Sequence, residues 1–294
     1  MKLALGTVQF GVDYGVSNTQ GKPSTQEVHN ILQLAAEKQI VTLDSAIGYG
    51  DSHSAISSFN ELHNYFSIIT KIPPFQAKQF DSHSQQQYVE YIDQCFSELK
   101  CSHLNAILFH QVADIFKPGV EPILNYLEQL KAKHNITHTG VSLYSGVNIT
   151  ELVQHPSINL VQIPFNAFDN YFKKNNALTC FKDNNITVHA RSVFLQGLLL
   201  MPIDKLNDYF LPWRKYLKQF HLIAKQLNVS ALTLCLAYVE KEPSIDRIVV
   251  GVNSECELTE IFNAYETINT LNLLELPSLA IDAPQLTNPA LWKP

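Results

Sequence analysis

Basic residues are in short supply: 21 lysines and arginines face 27 aspartates and glutamates, a formal net charge of -6 at pH 7 over 294 residues. Without a broad cationic surface, neither nucleic acid nor an acidic membrane is an expected partner, and a small molecule is. Cysteine is sparse too. Cys95, Cys101, Cys180, Cys235 and Cys256 are scattered, odd in number and form no C-x-x-C pair, which argues against a disulfide framework and leaves reduced thiols that pack. The 11 histidines are dispersed without ligand spacing, so no metal is expected. Polar or charged residues interrupt every apolar run before about 18 residues, too early for a membrane span. The opening "MKLALGTVQFG" is broken by Gly6 and Thr7 short of signal-peptide length. A cytoplasmic location follows by default. The G-x-G-x-x-G turn is missing from "LGTVQFGVDYG", which counts against an open doubly wound sheet.

What the chain does have is apolar content, 46% of residues, in a repeating order. Short runs rich in Val, Ile and Leu predict strands at 2–6, 41–46, 66–72, 104–110, 137–143, 160–165, 186–192 and 247–252. Longer segments at helical spacing lie between them. "STQEVHNILQLAAEKQ" starts with Ser24 and Glu27 at capping-box spacing, and "QQQYVEYIDQCFSELK" and "VEPILNYLEQLKAKH" follow the third and fourth strands. Residues 209–239 carry two helical patterns, one of them an extra helix before the last strand. No linker divides the chain. Eight strand and helix units predict one α/β domain over 1–294, a closed (β/α)8 TIM barrel with 271–294 as a tail packed on it.

In such a barrel, chemistry sits at the C-terminal strand ends. The second strand ends on Asp44 and Tyr49 opens its loop; the third delivers Lys71; the fourth finishes on His110. Singly, each reads as a turn, a solvated lysine, a structural histidine or a packing tyrosine. Four reactive types on three successive strands read as a site, because neighbouring strands lie about 4.8 Å apart. A tyrosine hydroxyl can protonate an oxyanion, and a lysine ammonium stabilises the phenolate left behind. Asp44 would keep that ammonium charged, and His110 would orient a substrate oxygen. No nucleophile order of Ser-His-Asp or Cys-His type emerges, so a hydride from a bound cofactor is implied.

The segments "LDSAIGYGDS", "TKIP", "LFH", "GVSLYS" and "VVGVNSECEL" resemble, in order, motifs of the aldo-keto reductase superfamily across essentially the whole chain. The resemblance implies a barrel that binds NADP or NAD and reduces a small aldehyde, ketone or sugar, or runs the reverse oxidation. It implies Tyr49 as general acid, tuned by Lys71 and Asp44, with His110 orienting the carbonyl. It also implies a cofactor set. Ser142 and Gln162 would hold the carboxamide, with Gly6, Thr7, Val8 and Asp44 beside the nicotinamide ribose. Ser192, Phe194, Gln196 and Gly197 would wrap the pyrophosphate, and Gly251, Asn253 and Glu257 would receive the adenosine phosphate on a helix start, where anions are favoured.

Three departures stand out against that family. Arg191 replaces a stacking tyrosine; it either stacks and favours the neutral, reduced cofactor or turns to a phosphate or anionic substrate. Leu143 replaces an asparagine. Gly251 and Glu257 occupy positions that often carry lysine and arginine for the 2′-phosphate, which predicts weakened NADPH preference with NADH accepted, unless Arg247 or Lys241 reaches the site. The sequence opens on its first strand, without the hairpin that plugs the barrel bottom in many relatives, so the tail is expected to cover apolar surface. Phe10, Ile47, Phe75 and Gln111, with Tyr49 and His110, are the expected substrate contacts. Tyr14, Tyr144 and Phe194 are further candidates. The rival class is a catalytically weak nicotinamide-binding module that senses redox state for a partner protein. Oligomeric state is not legible.

Overall fold

Strands that are apolar on both faces can be buried only in a parallel sheet covered by helices, and a closed sheet leaves no edge to protect. The computed structural model, which describes residues 1–59, 61–272 and 276–292, has that architecture. Strands β1 (Leu3–Gly6), β2 (Thr42–Asp44), β3 (Ser67–Ile72), β4 (Leu104–Phe109), β5 (Ile136–Ser142), β6 (Leu160–Pro164), β7 (Thr187–Arg191) and β8 (Arg247–Gly251) pair in parallel in sequence order, and β8 closes on β1. The predicted strands lie within two residues of these bounds.

The main helices alternate with the strands: α1 (Thr25–Glu37), α2 (Ser52–Ser57), α3 (Ser82–Leu99), α4 (Glu121–Ala132), α5 (Ile149–Val153), α6 (Ala177–Asp183), α7 (Arg214–Gln226), α8 (Ala231–Glu240) and α9 (Glu255–Thr267). The last pair before β8, α7 and α8, includes the expected extra helix. Side-chain caps set their starts. Asp81 and Ser84 form a reciprocal box at α3, Ser230 accepts from the Thr233 amide at α8, and Ser24 accepts from the Glu27 amide at α1. No single helix among the described residues is long and apolar enough to cross a membrane.

Outward-facing strand residues such as Leu5, Leu43, Ile107 and Val250 join the helices in one large apolar core. A smaller cluster of Ile69, Ala106, Leu108 and Leu160 fills the barrel interior. At the lower end Arg247 donates to Thr42 Oγ1 across β1 at 3.4 Å.

The tail packs against the barrel wall. Lys241 Nζ meets the Leu276 carbonyl, the Ile281 amide donates to Phe168 O beyond the end of β6, and Trp292 packs edge-on against Phe210 in the long β7 loop. Its described residues therefore run along the barrel wall to the mouth. Residues 273–275 and 293–294 of that tail lie outside the described residues.

His189 points inward from β7, 4% exposed, with Nδ1 unpartnered among the described residues. Burial, opposed by Asp44 and reinforced by Arg247, His138 and Lys71, pushes its pKa down to about 4. A histidine that stays neutral when folded but protonates near 6.5 when unfolded contributes stability above that pH and loses it as pH falls toward 4. For His189 the loss is at most about 3 kcal/mol. Thermal midpoints are expected to drop between pH 6.5 and 4, and His189→Gln to flatten that slope; an unaltered slope would contradict the assignment.

Candidate active site

Lys71 is 1% exposed and Asp44 4%. A buried ammonium is tolerable only if its charge is matched and its three N–H groups are used. Both conditions are met. Nζ lies 2.8 Å from each Asp44 oxygen, 2.9 Å from the Ser45 carbonyl and 3.4 Å from the Tyr49 hydroxyl. Burial alone would depress the Lys71 pKa, but the Asp44 carboxylate and the Tyr49 hydroxyl outweigh it and the net displacement is upward. From β6, Gln162 Nε2 donates to Asp44 Oδ1 at 2.7 Å.

The turn bearing Tyr49 is seated by backbone contact. A Cβ on Gly11 would fall 1.6 Å from the Tyr49 carbonyl oxygen, and Gly50, at φ +56°, lies against the Gly11 carbonyl, so both positions exclude side chains. Gly48 has open space around it. Below, the Thr7 hydroxyl, 2.7 Å from Ser52 Oγ, donates to the Asp44 carbonyl, and Ser52 also donates to the Thr7 carbonyl. His110 meets Tyr49 edge-on, ring centres 6.2 Å apart. Burial, with Lys71 and Arg191 adding, pushes the His110 pKa down to about 4, so the ring is neutral at physiological pH.

These groups open into a crevice of about 580 Å³ that continues between the loops after β1, β7 and β8. Every residue of the expected catalytic and cofactor sets borders it: the four around Lys71; Gly6, Thr7 and Val8; Ser142 and Gln162; Arg191 to Gly197 at Arg191, Ser192, Phe194, Gln196 and Gly197; and Gly251, Asn253 and Glu257. In the β7 loop, Ser192, Leu195 and Gln196 have φ of 59°, 51° and 53°, strain of about 1–3 kcal/mol each that is characteristic of ligand-holding loops.

The expected substrate contacts fare differently. Phe10 is 1% exposed and belongs to the core. Phe75 stacks on Phe80 at 3.9 Å, tied down by Asp114, which accepts from its amide, and Lys117, which donates to its carbonyl. Ile47 is half-buried and Gln111 exposed, and none of the four borders the crevice. Tyr14, Tyr144 and Phe194 do. So do residues that sequence reasoning passed over: Gln9, Glu260 and the tail residues Pro289 and Ala290. A second cavity of about 320 Å³ shares Arg191, Tyr144 and Pro289 with the crevice.

Arg191 lies on the Tyr144 ring at 4.4 Å, with Nη2 donating to the Leu143 carbonyl and Nη1 to Ser192 Oγ. The helix start at the far end is already capped. Glu257 accepts from the Asn253 amide at 2.7 Å, and Glu27, read from sequence as a partner for Ser24, reaches from α1 to accept from the Glu255 amide at 2.7 Å. Arg247 is at the barrel's other end, and Lys241 lies over Tyr238. Neither reaches Glu257, so the expected seat for an anion is occupied by the chain's own carboxylates.

Three buried acceptors on the crevice wall, Gln9 Oε1, Gln162 Oε1 and Asn253 Oδ1, have no partner among the described residues. A long ligand rich in amide and hydroxyl donors would satisfy them, so the site fits a dinucleotide. No group of three or more metal-ligating side chains occurs among the described residues.

The family model for the aldo/keto reductase family matches residues 2–272. Solved structures share the fold at low identity. A Pseudomonas aeruginosa protein assigned to the aldo-keto reductases is 16% identical, with 91% of this chain and 90% of that one covered and a TM-score of 0.66. Aldo-keto reductase AKR11C1 of Bacillus halodurans, in its holo form, is 15% identical, with 90% and 86% covered and a TM-score of 0.72. No curated protein matches the sequence.

Breaking the buried pair on one side is expected to cost more than removing it. Lys71→Met should lose about 3–5 kcal/mol by leaving Asp44 uncompensated, and adding Asp44→Leu should recover part of the loss. Denaturant unfolding of both variants measures this; equal losses would show the pair is not a buried charge couple.

Proposed function

Because the chain belongs to the aldo/keto reductase family, whose general activity is NAD(P)H-dependent carbonyl reduction, we propose that it reduces the carbonyl of a small aldehyde, ketone or sugar with Tyr49 as the general acid. One observation carries this reading. The three Lys71 N–H groups go to Asp44, the Ser45 carbonyl and the Tyr49 oxygen. Since Tyr49 accepts from the lysine, its own proton is free to point into the crevice.

A nicotinamide cofactor, when bound, would supply the hydride. The side chains do the rest. Tyr49 donates its proton to the carbonyl oxygen as negative charge develops there, and the Lys71 ammonium, already in place, stabilises the phenolate without reorganisation. Asp44 keeps that ammonium charged inside the barrel. His110, neutral at physiological pH, donates one ring N–H to the same oxygen and fixes its position. Ser142 and Gln162 would hold the carboxamide, and the Ser192–Gly197 loop the pyrophosphate. Tyr14, Tyr144 and Phe194 offer ring faces to the substrate, which suits a compact carbonyl compound or a sugar.

For the cofactor itself, the capped start of α9 supports NADH. A 2′-phosphate placed there would meet Glu257 and Glu260, and no lysine or arginine on that stretch of wall offsets them among the described residues. A ribose 2′-hydroxyl, by contrast, could donate to either carboxylate. NADH is therefore expected to bind at least as tightly as NADPH in direct titration, and Glu27→Gln with Glu257→Gln to improve NADPH selectively; a NADPH preference of about a hundredfold in the unaltered protein would refute this.

Turnover with a panel of aldehydes, ketones and sugars, followed by cofactor absorbance, tests the reaction. Tyr49→Phe should lower kcat by about 10²–10⁴ while leaving cofactor affinity intact. Gly11→Ala, by displacing the Tyr49 turn, should lower kcat by about 10². Cofactor binding with no turnover on any carbonyl would favour a redox-sensing module instead.

A further inference from the structure

Two basic side chains face the crevice among its described lining residues, and they differ in one respect. The charge of Lys71 is cancelled by Asp44. Arg191 takes part in none of the ion pairs among the described residues, so no described carboxylate lies within 4.0 Å of it. Its three partners, the Leu143 carbonyl, the Ser192 hydroxyl and the Tyr144 ring, are all neutral. They also anchor it. From the end of β7 the side chain crosses β6 to reach Leu143 just beyond β5, and so spans the strand that carries Gln162. Its field reaches the rest of the site, adding to the depression of the His110 pKa and opposing the burial that raises that of Asp169.

A fixed cation with no described carboxylate in ion-pair contact, and Asp169 acting on it only at longer range, has a definite consequence for a ligand whose charge changes during use. The nicotinamide ring is cationic when oxidised and neutral when reduced, while the pyrophosphate and both riboses are the same in the two states. Any attraction of Arg191 for the pyrophosphate therefore cancels in the ratio of the two affinities, and repulsion of the oxidised ring does not. We propose that Arg191 makes the crevice discriminate between redox states, holding the reduced cofactor more tightly than the oxidised one and so favouring loading with reduced cofactor and release of the spent one. The proposal rests on the reading that Ser142 and Gln162 seat the nicotinamide.

Binding of NADH and of NAD⁺, each measured alone by isothermal titration calorimetry, tests it without turnover. The unaltered protein should bind NADH more tightly by about tenfold at low salt, the ratio shrinking as salt is raised. Arg191→Met should bring the ratio near one. Arg191→Lys, which keeps the charge but loses the stacking and the paired anchors, should weaken both nucleotides and keep most of the ratio. If Arg191→Met weakens both by the same factor, or the unaltered protein binds the two alike at every salt concentration, the proposal is overturned. If neither nucleotide binds at all, the cofactor reading itself falls and takes the proposal with it.

Discussion

Burying an ammonium inside a barrel costs several kcal/mol, and the cost is met only while a carboxylate and well-aimed acceptors surround it. The Lys71–Asp44 pair imposes that condition on everything nearby. Asp44 ends β2, Lys71 sits one residue before the end of β3, and Gln162, on β6 across the mouth, donates to the same carboxylate. Three strands are tied to one charge pair. The Ser45 carbonyl and the Tyr49 oxygen take the remaining ammonium protons, which fixes where the Tyr49 turn can sit. Gly11 and Gly50 then let that turn dock, because neither leaves room for a side chain.

The crevice above this pair differs along its length. At the barrel axis it presents an anchored guanidinium, a neutral histidine and the Gln162 oxygen that has no partner among the described residues. At the α9 end it presents carboxylates, with the Asn253 and Glu255 amides already taken by Glu257 and Glu27. On the proposed cofactor reading, charge at the two ends would act on different parts of a dinucleotide, the ring at one and the adenosine ribose at the other. A single uniform field could not do both.

Much of this was legible in the sequence, for reasons that particular residues make plain. The eight apolar runs gave the strands because parallel strands are buried on both faces and need no alternation. Asp44, Tyr49, Lys71 and His110 were legible because each falls at or just beyond a strand end, where position and chemistry coincide. The loops were less so. Phe75 looks like a pocket residue by position, but Asp114 and Lys117 pull its backbone onto the Phe80 side, and no pattern in the sequence announces that. Glu27 sits three residues after Ser24, so local spacing assigns it to its own helix; the longer reach to α9 is a tertiary contact that local reasoning cannot register. The tail was expected to cover apolar surface, but its contacts near the mouth are with Phe168 and Phe210, both remote in sequence, and local spacing does not announce them.

The central claim is that this site delivers hydride to a carbonyl carbon and a proton, from Tyr49, to its oxygen. A single turnover with NADH deuterated at the transferring position of C4 and a simple aldehyde, analysed by mass spectrometry and NMR, tests it most directly. One deuterium on the carbinol carbon of the product is the predicted result; an aldehyde recovered unchanged, or a product carrying no deuterium, would contradict the account.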